Sequence, residues 1–509
     1  MMRLVFRVDG DTTIGTGHVM RCLALAQVWT DAGGKATFLL NTESPALEAR
    51  LAAEGIEIGR VLAEPGSAAD AAETVAQAKR VEAEWAVIDG YHFDADYQRR
   101  IKEAGLRVLF IDDYGHAGHY FAYIVLNQNI YADAELYENK ESYTRLLLGT
   151  KYALLRREFL LSDRRRKISE KARKVLVTLG GGDPDNITSK IIEALRLTKI
   201  DDLEAVVVIG GANPHLIAIE SAAGRSPFPI KIEQNVADMP RLMAWADAAI
   251  SGGGTTCWEL AFMGLPFATV ILAENQRRSA ENLAEKKVAV NLGWYEDIKP
   301  DMAAEAIAKL LADRALRQSM SNQGKTLIDG QGAQRVAKLL LPAKKVKLRK
   351  AEPGDSRLLW EWANDPEVRE RSFISDQISW DEHVIWFSRK LRDPNCVQFI
   401  VLDARDNPVG QVRFDQLRDN EAEISVSIDK TKRGLGYGGL IIRQATEEIF
   451  RITHYVAVHA FIKPENDQSV RSFEKAKFKE AGKEVVKNHF ALHYVLSRKD
   501  KETAGSVAV

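Results

Sequence analysis

Four glycine-bearing segments of the 509-residue chain pair backbone that can close on an anion with side chains that can move protons. The first, Ile14-Gly15-Thr16-Gly17-His18-Val19-Met20-Arg21-Cys22, follows the apolar run Leu4 to Val8. Its glycines let backbone approach a ligand, and a helix opening near His18 aims free N–H groups and its positive dipole end there. A histidine so placed can take a proton from water near neutral pH or bind phosphate. Read alone, Gly-x-Gly is equally a tight strand-to-helix turn. The second segment is Ser251-Gly252-Gly253-Gly254-Thr255-Thr256, leading into Trp258, Glu259 and Leu260. Its N–H groups and two threonine hydroxyls can hold a pyrophosphate without a metal, and Glu259, one turn on, can accept from ribose hydroxyls. The third is Gly180-Gly181-Gly182-Asp183 with Asn186; Asn275-Gln276 and Asn282 add polar groups at the same rim. Three polar loops at one rim point to a nucleoside diphosphate. The fourth, Arg433-Gly434-Leu435-Gly436-Tyr437-Gly438-Gly439, is a basic loop at a helix start that can cradle a second pyrophosphate; taken alone it is also a dinucleotide-like pattern.

Other polar residues carry two readings each. Asp89 and Tyr91, in Ile88-Asp89-Gly90-Tyr91-His92, sit at a strand end facing the first cleft. Asp9, Tyr91 and Asn127 can contact a sugar or satisfy loop backbone. Asp94-Ala95-Asp96 has metal-binding spacing, but a helix start favours N-capping. Asp112-Asp113 with His116 and His119 lacks a further ligand pair, so no metal is expected. Trp258 can stack on a base or pack in the core. The same choice, packing or a nucleotide-stacking wall, holds for Trp380, Trp386 and Phe387.

These residues need strands and helices to hold them. Leu4 to Val8, Lys35 to Leu40, Trp85 to Asp89, Arg107 to Asp112 and Tyr123 to Gln128 read as strands. Amphipathic helices lie between them, Met20 to Asp31, Ala68 to Arg80 and Tyr97 to Ala104. The alternation restarts with Lys174 to Leu179, the helix Ile187 to Leu197, and strands Leu203 to Ile209, Ile230 to Gln234, Ala248 to Ser251 and Pro266 to Ile271. Helical patterning fills Asp301 to Leu341. The basic stretch Lys344, Lys345, Lys347, Arg349 and Lys350 reads as a solvated junction. Strands Glu423 to Ile428 and Ala457 to Phe461 and the helix Leu440 to Phe450 belong to a third domain. The expected class is α/β, with two Rossmann-like domains, 1–150 and 151–341, and a smaller α/β domain, 342–500. A net charge of -1 provides no field toward nucleic acid or an anionic membrane, and neither is an expected partner. Three scattered cysteines make no disulfide framework, no apolar run spans a bilayer, and no signal peptide opens the chain. A cytoplasmic location is expected; the oligomeric state is open.

In combination, Gly15-x-Gly17-His18-x-x-Arg21-Cys22, Gly252-Gly253-Gly254-x-Thr256-x-x-Glu259 and Asn275-Gln276 resemble the UDP-sugar hydrolases of pseudaminic acid biosynthesis. That group is of the glycosyltransferase-B type, and the resemblance covers roughly the first 340 residues. It implies a glycosyltransferase-B arrangement and release of UDP from UDP-2,4-diacetamido-2,4,6-trideoxy-β-L-altropyranose by water. His18 would be the base; Gly17, Arg21, Asp89, Tyr91, Gly180, Gly252 to Thr256, Glu259, Asn275, Gln276 and Asn282 would line the UDP-sugar site.

Arg433-x-x-Gly436-x-Gly438, with Asn466-x-x-Ser469 and Phe473-Glu474-Lys475-x-x-Phe478, resembles the GNAT acetyltransferases. This likeness implies acetyl-CoA as co-substrate, held by Ile428, Arg433, Gly434, Gly436, Tyr437, Gly438, Asn466 and Ser469. Members often carry tyrosine where this chain has Phe473, which leaves Tyr437, Tyr455 or Tyr494 as the acid and Glu423 or His459 as the base. Together the halves imply acetylation of the 4-amino group of UDP-4-amino-4,6-dideoxy-N-acetyl-β-L-altrosamine, then UDP release. The alternatives are a glycosyltransferase, and an acetyltransferase acting on protein N-termini or another amino sugar.

Overall fold

The computed structural model describes residues 2–10, 16–180, 183–210, 213–341, 345–404, 406–434 and 436–499. The chain divides into two compact units, Met1–Leu341 and Pro342–Val509. The first unit opens with β1 (Arg3–Val8), β2 (Lys35–Leu40), β3 (Glu57–Arg60), β4 (Trp85–Asp89), β5 (Arg107–Ile111), β6 (Ile124–Asn127) and β7 (Arg145–Leu148). They form one parallel sheet in the order β3-β2-β1-β4-β5-β6-β7. Alternate residues of β1 feed different cores: Leu4, Phe6 and Val8 pack under the helix Gly17–Asp31, and Val5 packs on the opposite face. A strand buried on both faces reads as an unbroken apolar run, which made these strands visible. The short edge strands β3 and β7, of sequence EIGR and RLLL, were not foreseen.

A second parallel sheet holds β8 (Lys174–Thr178), β9 (Glu204–Ile209), β10 (Ile230–Gln234), β11 (Ala248–Gly252), β12 (Phe267–Ile271) and β13 (Ala289–Trp294). Its order is β10-β9-β8-β11-β12-β13. The helical stretch after it is three helices, Pro300–Ala312, Arg314–Leu327 and Gly332–Leu340. The last of these leaves the second sheet: Ala333, Val336, Ala337 and Leu340 lie in the core of the first, against the helix Gly17–Asp31. Near this return the chain passes its own earlier crossing, so closely that a Cβ on Gly332 would sit 2.1 Å from the Ala153 carbonyl oxygen.

The second unit is a mixed sheet of β14 (Lys347–Lys350), β15 (Cys396–Leu402), β16 (Pro408–Arg418), β17 (Glu421–Ile428), β18 (Ala457–Ile462), β19 (Lys479–Val486) and β20 (His489–Ser497). Its order is β14-β15-β16-β17-β18-β20-β19, and only β17 and β18 are parallel neighbours. Those two pair over three residues, ending at Glu423 opposite His459. Beyond that point they part, although both strands continue. The helix Tyr437–Ile452 covers one face through Ile441, Ile442, Ala445 and Ile449; the helices Ser356–Ala363 and Trp380–Arg392 cover part of the other. Of the basic junction, Lys344 lies outside the described residues, Lys347 pairs with Asp406 and Arg349 with Asp355. Among the described residues no helix is long and apolar enough to cross a membrane.

Candidate functional site

The order of the first sheet reverses between β1 and β4, so the segments leaving their carboxyl ends diverge and open a crevice. His18 enters it from the first turn of Gly17–Asp31; Asp89 ends β4. His18 Nδ1 lies 2.6 Å from Asp89 Oδ1. Arg21, one turn after His18, donates to Asp89 through Nε (2.6 Å) and Nη2 (2.6 Å), and to Asp113 Oδ1 through Nη1 (2.8 Å). Arg21 Nη2 also stands 3.1 Å from His18 Nδ1. A guanidinium only donates and a carboxylate only accepts. The shorter contact, to Asp89, therefore puts the proton on Nδ1 and leaves Nε2 as the basic nitrogen of the neutral ring.

Burial raises the Asp89 and Asp113 carboxyls, but Arg21 and the His18 beside it together outweigh burial and hold both below the usual carboxylate range. Tyr91 stands edge-on to His18, ring centroids 4.9 Å apart. Its hydroxyl donates to Asp113 Oδ2 (2.7 Å) and accepts from Asn275 Nδ2 (2.6 Å), so a second-lobe residue reaches the His18 centre. Burial and then Asp113 push the Tyr91 phenol far above its ordinary value. Asp113, which the sequence reading weighed only as part of a metal-ligand group, is a hub here and also accepts from Asn129 Nδ2 at 2.8 Å. The available signal was a carboxylate just past β5, with Asn127 ending β6 and Asn129 just past it.

The second sheet reverses between β8 and β11, and the two expected loops leave from these strands. Gly180 adopts φ +97° with open space around it; Gly181 and Gly182, like Ile14 and Gly15, lie outside the described residues. Asp183 accepts the N–H groups of Ile187 (2.8 Å) and Thr188 (3.0 Å), so that helix start is already capped. The helix Thr256–Met263, after the Gly252 loop, begins with no side-chain cap. A Cβ on Gly252 would stand 2.9 Å from Leu272 Cδ1, and one on Gly253 3.1 Å from Gln276 Cβ. Gln276 Oε1 accepts from the N–H groups of Gly253 (3.0 Å) and Leu272 (3.1 Å) and so braces the loop. Across the cleft, a Cβ on Gly17 would lie 3.5 Å from Thr255 Oγ1, so the two glycine turns face one another. Arg156, from the connection between the lobes, donates to Glu259 Oε1 through Nη2 (2.9 Å) and Nε (3.3 Å). Burial raises the Glu259 carboxyl, against the pull of Arg156. Asn282 is not gathered in: its Nδ2 donates to the Arg278 carbonyl of its own helix.

In the second unit, Gly434 (φ +72°) and Gly436 (φ +81°) shape the turn into Tyr437–Ile452, a helix with no side-chain cap and no acid in its first turn. Leu435 lies outside the described residues. A Cβ on Gly438 would meet Ser472 Oγ at 2.7 Å, so this glycine lets the helix lie against Asp467–Lys475. The Arg433 side chain is engaged by Asp365 (2.8 Å), Glu367 (2.7 Å) and the Ile428 carbonyl (3.1 Å); what the loop offers an anion is backbone N–H. Asn466 caps the second helix, accepting from the Ser469 N–H at 3.1 Å. Phe473 packs edge-to-face on Phe478 in the core. Tyr494 is buried beside it and turns its hydroxyl to Glu474 Oε1 at 3.4 Å, one residue from Phe473. Glu423 is half-buried opposite Asp415 and His459; burial and then Asp415 raise its carboxyl.

Several of the residues with two readings make structural contacts. Asp94 caps Ala95–Glu103, accepting from Tyr97 N–H (2.9 Å), and Trp258 is buried in the second lobe's core. Asn127 donates to the Asp113 carbonyl and accepts from Asn129 N–H; Asp9 pairs with Arg7 and accepts from Asn41 N–H. Phe387 is core, whereas Trp380 is partly exposed and shares Arg357 with Trp360. Among the described residues no group of three or more His, Cys, Asp or Glu is gathered to hold a metal ion.

Two family models match, the glycosyltransferase family 28 C-terminal domain over residues 175–339 and the acetyltransferase (GNAT) domain over residues 345–479. An uncharacterized protein of Methanocaldococcus jannaschii is 23% identical over 501 residues, 95% of this chain and 98% of that one, so the match spans both units. The UDP-2,4-diacetamido-2,4,6-trideoxy-beta-L-altropyranose hydrolase of Campylobacter jejuni is 27% identical over 290 residues, 56% of this chain and 97% of that one. The spore coat polysaccharide biosynthesis protein SpsG of Bacillus subtilis is 28% identical over 248 residues, 48% of this chain and 73% of that one. The chain thus joins a unit like the UDP-sugar glycosyltransferases to an acetyltransferase (GNAT) domain.

Proposed function

We propose that the first unit hydrolyses a UDP-linked diacetamido sugar and that the second acetylates the 4-amino group of its UDP-linked precursor with acetyl-CoA. The observation that carries the hydrolase reading is the imidazole of His18, fixed by Asp89 in the tautomer with a basic Nε2, at the mouth of a cleft whose other wall is the uncapped Gly252–Thr256 turn. Water would lose a proton to His18 Nε2 as its oxygen attacks the anomeric carbon. The bond to UDP breaks, and the phosphate charge would fall on the N–H groups of the turn at Gly254 to Thr256, since those of Cys257 and Trp258 already donate to the Gly254 and Thr255 carbonyls. Glu259 Oε2, left over after both Arg156 bonds fall on Oε1, would accept from ribose. Asn275, Gln276 and Arg21 hold the frame of this site, and no metal is required. The name of the Campylobacter relative supports the choice of sugar.

In the second unit the turn at Gly434 and Gly436 and the uncapped helix fit the pyrophosphate of coenzyme A. The parting of β17 and β18 past Glu423 admits its pantetheine arm. Glu423 would take the proton of the attacking amine, and Tyr494 would protonate the departing thiolate. The test is incubation with acetyl-CoA and UDP-4-amino-4,6-dideoxy-N-acetyl-β-L-altrosamine, with products followed by NMR. Acetylation and then UDP release is expected; acetylation without UDP release overturns the hydrolase half. The family 28 match favours one rival, transfer of the sugar to an acceptor. UDP release that depends on an added acceptor would establish it.

A further inference from the structure

The near-zero net charge of the chain conceals a strongly basic segment. Seven of the eleven residues 164–174 are lysine or arginine, against one acid, Glu170. The segment runs into β8 along the amino-terminal edge of the second sheet, where Lys174 opens β8 and Asp247 directly precedes β11. A cavity of about 500 Å³ opens there, walled by Arg166, Lys167, Lys171, Arg173, Lys174 and Trp245. The glycine turns of the cleft lie at the carboxyl ends of the same strands, about 15 Å away along β8.

The backbone of this cavity is fixed and its charge is unbalanced. Asp247 Oδ1 accepts from Ser169 Oγ (2.6 Å), and its Oδ2 accepts from the N–H groups of Arg173 (2.8 Å) and Lys174 (3.0 Å). The fully buried Arg317 donates to the carbonyls of Ser169 (2.8 Å) and Glu170 (3.2 Å). Arg166 is spread over three carbonyls, those of Met243, Ala246 (2.6 Å) and Met263 (3.4 Å). The nearby acids are engaged elsewhere: Asp163 pairs with Arg165 (2.8 Å) and Glu170 with Arg314 (3.2 Å). Among the described residues no carboxylate makes an ion pair with the side chain of Arg166, Lys167, Lys171, Arg173 or Lys174. Lys174 instead lies over the Trp245 ring, its Nζ 5.7 Å from the centroid. Five cations held around one concavity repel one another until an anion enters, and a concave wall of one sign focuses its field. The Arg173 fork matches phosphate oxygens, and the three lysines add point charges. The space exceeds a single phosphate and suits a ligand of nucleotide size. We propose that this cavity is a separate anion site, which binds a soluble oligophosphate at the amino-terminal edge of the second lobe, away from the cleft that holds His18.

The probe is inorganic tripolyphosphate, titrated into the full chain labelled with fluorotryptophan in the presence of saturating UDP. Trp245→Phe assigns the 19F resonance of Trp245. A saturable shift of that resonance is expected, with an affinity that falls as salt is added. Lys167→Glu combined with Lys171→Glu changes two exposed side chains and should weaken binding by about tenfold or more, with the urea midpoint of the parent retained. A Trp245 resonance that stays still overturns the site, and so does an affinity that survives the charge reversal. Vesicles of equal parts phosphatidylcholine and phosphatidylserine separate a free ligand from a lipid surface. The chain is expected to stay in the supernatant; a chain that sediments with the vesicles and shows no shift with tripolyphosphate overturns the soluble ligand in favour of a membrane.

Discussion

Asp89 does two jobs at once. Its Oδ1 sets the tautomer of His18, and both oxygens hold Arg21 in a site closed to water. Asp89→Asn keeps the shape but can turn an N–H toward His18 Nδ1, which then accepts and moves its proton to Nε2. UDP release is expected to fall by on the order of 10³-fold, with little change in KM; steady-state kinetics reads both. The same carboxylate makes the first unit sensitive to acid. Asp89 and Asp113 are held below their unfolded value of about 3.9. Their stabilisation is therefore complete above that pH and is lost as pH falls through the folded values. Urea midpoints measured between pH 6 and pH 3 should fall steeply at the acid end for the parent chain and less for Asp89→Asn; parallel curves would sink this account. Asp113→Ala removes the hub and leaves Arg21 buried beside one carboxylate, and should cost about 3–5 kcal/mol in denaturant unfolding.

At the scale of elements, glycines decide how closely helices and crossings approach. Gly438 lets Tyr437–Ile452 lie on Asp467–Lys475, and Gly438→Val pushes the two apart at Ser472. The expected readout is a rise of tenfold or more in the KM for acetyl-CoA, with UDP release from preformed substrate unaffected. Gly332→Ala sets a methyl against the backbone of Ala153 and should cost roughly 1–3 kcal/mol. A basic strap shows the same logic with side chains. Arg166 donates to the carbonyls of Met243 and Ala246, Arg164 to Phe262, and Arg317 to Leu310 and Leu311. Each closes a helix C-terminus. Elements with continuous apolar runs or clear turn residues were legible in the sequence: β1, β4, β8 and β11, and the glycine turns that follow the sheet reversals. What was not legible depended on long-range partners. β13, with Asn291 and Gly293 inside it, is a strand because β12 lies beside it. Asp113 matters because Arg21, 92 residues away, reaches it. Arg156 meets Glu259 across 103 residues, and His493 finds His459 only through the antiparallel pairing of β18 with β20.

At the scale of the molecule, two compact units with separate cores predict separable chemistry. His18→Ala in the full chain should reduce UDP release by about 10²–10⁴-fold while coenzyme A release proceeds at the parent rate. Acetylated UDP-sugar then accumulates and is visible by 1H and 31P NMR. UDP release that persists in this variant would remove His18 from its role. Saturating UDP should raise the melting temperature of the first unit alone, since a ligand at 100 times its dissociation constant adds about 2.7 kcal/mol to the state that binds it.

The return of Gly332–Leu340 to the first sheet has a mechanical meaning. The peptide chain passes between the two lobes twice, and where Gly332 lies on Ala153 the two passages touch. Two strips bonded side by side act as a flexure, pliant about the one line that runs across both and stiff against torsion. A line across both passages would set the direction in which the two jaws of the cleft close, with the Gly17 and Thr255 turns laterally aligned. Because the last helix is part of the first lobe's core, no single cut in the chain can release one jaw intact.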